Sequence, residues 1–165
     1  MSFSHTEAKF LAGYILASYE YERGTTKKVI AAIPEGQGGY TPDGKSMPAL
    51  KLAFHIASSE LFFLNGVLSG EFKMPEKIEE PPSSAEAVLS WYDANLPEAI
   101  DKVRAMPGEA LAREVDFFGM MKRPAVDFLN LMLHHSIHHR GQLSAYLRPM
   151  GAKVPGIYGP SGDSQ

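Results

Sequence analysis

Cysteine is absent from this sequence. Disulfides, thiolate metal ligands and a cysteine nucleophile are therefore excluded, and any thiol chemistry would need a thiol from outside the chain. A basic excess is lacking as well. Lys and Arg number 16 against 19 Asp and Glu, a formal net charge of −3, which leaves no electrostatic footprint for nucleic acid. No apolar run reaches the ~20 residues that span a bilayer. The opening MSFSHTEAKF has no charged-then-apolar order of a secretory signal. The expectation is a cytoplasmic protein with neither a nucleic-acid nor a membrane partner. Also missing are the GxxxxGK[ST] phosphate loop, the HExxH zinc-protease motif and the GxSxG nucleophile turn. No segment reads convincingly as a strand.

Helical periodicity dominates what is present. A first helix is expected over residues 4–33, with Phe10, Leu11, Tyr14, Ile15, Ser18, Tyr21, Glu22, Val29 and Ala32 at helical spacing. Pro34 and the glycine-rich EGQGGYTPDGK then form a loop. A second helix opens near SMPAL, with Ser46 as cap and Pro48 in the first turn, and ends at about residues 66–70. The charged, proline-rich EFKMPEKIEEPPSS follows. A third helix begins at Ser83, with Glu86 three residues later as in a capping box, and should kink at Pro97. Residues 107–124 read as irregular with a short helix in GEALAREV. A fourth helix covers 125–148, before a Pro/Gly-rich tail of about residues 149–165. The whole, residues 1–165, reads as one all-α domain, a four-helix bundle. A helix of ~22 residues is ~33 Å long. A link of ~12–15 extended residues reaches ~40–50 Å, so the second link is long enough to leave helices two and three parallel.

Four of the six histidines, His134, His135, His138 and His139, fall within six positions of the fourth helix. Two pairs have the i, i+4 spacing that puts both rings on one face. Steps of three and four from His135 and His139 reach Phe128, Met132, Gln142, Leu143 and Tyr146. The same steps from His134 and His138 reach Asp127, Asn130, Gly141, Ala145 and Arg148, with Leu131 the one large apolar member. Periodicity therefore turns His135 and His139 inward and leaves His134 and His138 to solvent or a subunit contact. His55, on a stripe with Leu52, Ser59, Phe62 and Gly66, faces inward from the second helix.

A histidine on an apolar stripe is commonly a hydrogen-bonded core residue. Three together are harder to satisfy, because each neutral ring needs both nitrogens partnered. A divalent ion accepts one nitrogen from each, and the other ring N–H can donate to a supporting acceptor. Both readings stand on the residues alone. Ser59, Gln142 and Tyr146 lie on the correct faces to support the imidazoles or to be ordinary core polar groups. Glu60, about 140° around the helix from His55, is a poor candidate for the same cavity. Three imidazoles would leave an ion its full charge and an open position, as in catalytic sites. Imidazole suits Zn, Ni, Fe and Cu alike, so the ion's identity is not readable.

The run HHSIHHRGQLSAYLRPMGAKVPGIYGPSGD resembles the DinB-like family of bacterial metal proteins. An HxxxH pair runs into RGQL, YLR and then VP..YGPS, and the lone histidine of the second helix also fits. The resemblance implies that His55, His135 and His139 bind one divalent metal, Zn, Ni or Fe. It further implies an up-down-down-up bundle with long crossover links, often as a homodimer. Some such proteins transfer low-molecular-weight thiols such as bacillithiol or mycothiol. The function expected on that basis is transfer of such a thiol to a small electrophile. The alternatives are a metal-dependent hydrolase and a non-catalytic metal- or ligand-binding stress protein. Arg140 and the VPGIYGPSG tail are the nearest candidates to anchor the thiol's polar groups.

Overall fold

Four long helices account for most of the chain: α1 (His5–Ala31), α2 (Ala49–Ser69), α3 (Ala85–Ala105) and α5 (Ala125–Leu147). Between the last two lie a short helix, α4 (Gly108–Ala112), and a hairpin of β1 (Glu114–Phe117) and β2 (Met121–Pro124). This computed structural model describes residues 2–75 and 79–164, so residues 76–78 of the EFKMPEKIEEPPSS link lie outside the described residues.

Local chemistry fixes the helix ends. The Ser4 hydroxyl accepts the Glu7 N–H while the Glu7 carboxylate accepts the Ser4 N–H at 2.8 Å, closing a capping box. The Ser84 hydroxyl accepts the Ala87 N–H and caps α3 one residue later than the expected Ser83. That helix continues through Pro97. Ser46 does not cap α2; Pro48 is the boundary residue, and Ser46 bonds to Asp43 instead. At the other end of α2, Gly70 adopts a left-handed φ of 81°. The Arg113 guanidinium donates there to the carbonyls of Val67 and Leu68 at 2.9 and 3.1 Å and satisfies acceptors that the helix itself leaves unpaired.

Helices α1 and α2 each pack against both α3 and α5. Their apolar faces merge into two clusters. One is built around Leu16, Tyr19, Leu64, Leu96, Phe128 and Leu129, and the other around Ile30, Leu52, Ile56, Val88, Leu143 and Leu147. Helix α2 is the most apolar, with a mean hydropathy of 1.3 over its central window. Contrary to the expectation that nothing in the chain would do so, it passes as a membrane span by length and composition. Over half of that window is buried against the other helices, so its hydropathy is that of a core helix.

Two further expectations need correction. The chain is not all-α. The β1–β2 hairpin pairs Glu114 with Pro124 through Phe117 with Met121, antiparallel. Its turn places both Phe118 and Gly119 at positive φ. Four-residue strands are too short to show alternation, and the strand-forming signal of FF and MM was lost in a segment read as irregular. The apolar stripe expected on α1 is also only partly the buried one. Ile15 and Val29 are buried, but Phe10, Tyr14 and Tyr21 are exposed, and the buried face runs through Ala8, Ala12, Leu16, Tyr19, Thr26 and Ile30. Small alanines let α1 lie close to its neighbours, whereas the large aromatics drew the sequence reading to the wrong side.

Candidate metal centre

Helix α5 presents two faces of different character. His134 and His138 are exposed, whereas Phe128, Met132, Leu143 and Tyr146 are buried. His135 and His139 project from the buried side one turn apart, and α2, packed against α5, brings His55 to meet them. The ring centroids lie 5.0 Å apart for His55 and His135, 4.7 Å for His55 and His139, and 4.3 Å for His135 and His139. One potential ligand atom from each ring lies within 4.8 Å of the others. An ion with tetrahedral bonds of ~2.0–2.1 Å to nitrogen holds its ligands ~3.3 Å apart, so small side-chain rotations would close the set.

Burial keeps these rings neutral. Desolvation holds His135 down to about 4 from an ordinary 6.5, and the nearby His139, His55 and His138 push the same way. His55 is lowered by desolvation and by His139. His139 is lowered by desolvation, against an upward pull from its bond to Gln142. A neutral imidazole has the lone pair a metal needs.

Supporting contacts orient two of the rings. Gln142 Oε1 accepts from His139 Nδ1–H at 2.7 Å, which leaves the Nε2 lone pair of His139 free. Ser59 Oγ lies 3.3 Å from His55 Nδ1, and its hydroxyl can donate to or accept from that nitrogen. Among the described residues, Tyr146 makes no hydrogen bond to an imidazole. Its ring meets Tyr40 edge-on at 5.7 Å, and it lines the cleft beside His139. Phe63 covers His135 at 5.8 Å between centroids.

The donor set fits a divalent ion. His135 Nδ1 is buried without a hydrogen-bond partner, one of two such side-chain atoms among the described residues. An unpaired buried polar atom is costly. Three neutral imidazoles turned toward one another, one with an orphaned nitrogen, are a poor core and a good cation site. A cleft of about 260 Å³, lined by Lys45, Ser46, Met47, Leu52, His139, Gln142 and Tyr146, adjoins the cluster.

Four residues take places that the sequence does not show. Glu60 stays out of the histidine cluster, as its angle on α2 implies, but it is fully buried. It accepts hydrogen bonds from Tyr19 at 2.5 Å, from Ser136 at 2.6 Å and from Tyr92. Each long helix thus contributes one residue to this network. The signal was legible, since Glu60 lies on the apolar stripe of Ile56, Ala57, Phe63, Leu64 and Val67. Arg140 is not free to anchor a ligand. It is 1% exposed, ion-paired with Glu22, and bonded to Tyr158 of the tail at 2.8 Å. Lys45 and Met47 come to the cleft from a loop that periodicity cannot place.

The DinB family profile matches residues 3–164. The chain is 25% identical over 150 residues to the uncharacterized protein YrdA of Bacillus subtilis, covering 90% of this chain and 88% of that one. It is 27% identical over 140 residues to the uncharacterized protein YjoA of the same organism, covering 83% and 89%. The crystal structure of YjoA, described as DinB-like, superposes with a TM-score of 0.74 at 26% identity over 90% of this chain and 99% of that one. A DinB-like protein from Bacillus cereus gives 0.75 at 26% identity over 87% and 95%.

Proposed function

Since the chain belongs to the DinB family, we propose that it is a divalent-metal enzyme in which His55, His135 and His139 hold one ion, and that it transfers a low-molecular-weight thiol to a small electrophile. The observation that carries the metal reading is the convergence of three neutral imidazoles within 4.8 Å. When bound, Zn, Ni or Fe at such a site supplies a Lewis acid that lowers the pKa of a thiol from ~8.5 or of water toward neutrality. The protein's own residues do the rest. Gln142 and Ser59 orient two of the rings, Phe63 shields the third from water, and the cleft beside His139 positions the reactants. The thiol reading is supported by the resemblance of the chain's C-terminal motif to a family some of whose members use such thiols; with no cysteine in the chain, the thiol would come from outside.

A hydrolase would use the same open position with water as nucleophile. Against it stands the lack of a carboxylate base among the cleft residues, with Glu60 committed to three hydroxyls elsewhere. The test is to titrate bacillithiol, mycothiol, glutathione and a simple thiol into cobalt-loaded protein and then add a generic electrophile. A new near-ultraviolet sulfur-to-metal band and thiol consumption faster than with His139→Ala are expected. No spectral change and no consumption would discard the thiol reading in favour of hydrolysis or non-catalytic binding.

The same reading extends to the assembly. The four long helices are taken as an up-down-down-up bundle, because the connection of residues 70–84 is long enough (~45–50 Å extended) to run back along a helix of ~32 Å. The exposed aromatics Phe10, Tyr14 and Tyr21 on α1 are consistent with a homodimer, which mass in solution by light scattering would check.

A further inference from the structure

The wall of the cleft opposite α5 is the segment Lys45–Ser46–Met47 from the α1–α2 connection. This segment is tied down on all sides. The Asp43 carboxylate accepts the backbone N–H groups of Lys45 and Ser46, both at 2.8 Å, and the Ser46 hydroxyl at 2.9 Å. The Thr41 hydroxyl donates to the carbonyl of Asp43 at 2.6 Å and to that of Ser46 at 3.1 Å. At its margins the Ala49 N–H donates to the Tyr40 carbonyl and the Leu50 N–H to that of Gly38. The Asp43 carboxylate is therefore engaged by the backbone and by Ser46.

The result is a cleft with an uneven charge. No Asp or Glu is among its lining residues, and Lys45 is in no ion pair among the described residues. Gln142, which lines the cleft, uses its oxygen on His139, so its amide N–H groups remain available as donors. Any ion held by three neutral rings adds two further positive charges. With such an ion bound, Lys45 and the ion would outweigh the single negative charge of Asp43, against a chain of net charge −3. Met47, Leu52 and the Tyr146 ring supply apolar contact beside it. The volume, about 260 Å³, lies below the ~300–1,000 Å³ of clefts that take drug-sized ligands.

We propose that this cleft selects a small carboxylate-bearing molecule, its carboxylate paired with Lys45 and the Gln142 amide and its other end directed at the three-histidine site. The proposal rests on the metal-centre reading above for the direction in which the ligand points. One ammonium and one amide match a single carboxylate; a phosphate would call for more donors than these two.

The experiment compares probes matched in size and differing in charge. In cobalt-loaded protein, 3-mercaptopropionate should bind about three- to tenfold more tightly than 3-mercaptopropionamide, compared at equal thiolate concentration. Lys45→Met should bring the two to parity and Lys45→Glu should reverse them, with cobalt occupancy unchanged. A second arm without sulfur uses succinate against succinamide, read by the amide resonances of residues 45–47 and the Gln142 side chain in zinc-loaded protein. Succinate should shift them, succinamide should not, and Lys45→Met should abolish the effect. If neither thiol perturbs cobalt while succinate still behaves in this way, the thiol chemistry fails and the anion site stands. Equal binding of charged and neutral probes, or a preference indifferent to Lys45, would overturn the anion site.

Discussion

Glu60 and His135 are buried or half-buried titratable groups whose shifts pull stability in opposite directions with pH. Desolvation raises the Glu60 carboxyl above its ordinary 4.5, against the three hydroxyls and Arg23 that favour its charge. A raised acid gives stability that is present below 4.5 and is lost as pH rises through the folded value. His135, held at about 4 against an ordinary 6.5, works the other way. The unfolded chain takes up a proton first, so the stability His135 contributes is present above 6.5 and is lost as pH falls toward 4. The metal-free protein should show both slopes in the acid range, and single substitutions should separate them. In chemical denaturation between pH 4 and 7, Glu60→Gln should remove the fall of stability with rising pH, while His135→Gln should remove the rise. Glu60→Leu strands the Tyr19, Tyr92 and Ser136 hydroxyls and should cost roughly 2–4 kcal/mol. A neutral effect of Glu60→Leu at every pH would mean that the hydroxyls repair among themselves.

At the scale of elements, the end of α2 shows how one cap joins distant parts of the chain. Gly70, at φ 81°, lies where a Cβ would come within 2.3 Å of the Arg113 guanidinium carbon, and Arg113 bridges to the last carbonyls of α2 from just before β1. Gly70→Ala combines left-handed strain with displacement of that guanidinium, so a loss of roughly 1–3 kcal/mol is expected in denaturant titration. A loss below ~0.5 kcal/mol would show that Arg113 relaxes freely. The four long helices were legible because periodicity and prolines are local signals, although the caps were displaced: Ser46 does not cap α2 and Ser84, not Ser83, caps α3. The face of α5 that carries His135 and His139 was legible too, since its neighbours at steps of three and four are apolar. What stayed hidden depends on tertiary partners. The α1 face is chosen by close packing of alanines, the hairpin by the aromatic contacts of Phe117 with Phe72 and Phe128, and Lys45 by a turn organised through Asp43.

For the molecule as a whole, both apolar clusters draw residues from all four long helices, so the fold is expected to hold without the ion, unlike a zinc finger, which is unfolded when empty. Protein treated with a chelator should keep its helical circular dichroism and melt cooperatively, at a temperature lower than the metal-loaded form because an ion bound only by the folded state stabilises it. Loss of the helical signal on chelation at room temperature would contradict this. The account's central claim is that one divalent ion is held by His55, His135 and His139, and elemental analysis of purified protein tests it most directly. The protein should carry close to one ion per chain. Alanine at any one of these three histidines should reduce that several-fold, while His134→Ala and His138→Ala should leave it nearly unchanged. Equal loss from both sets, or a wild-type protein that takes up no divalent ion from a metal-replete buffer, would contradict it.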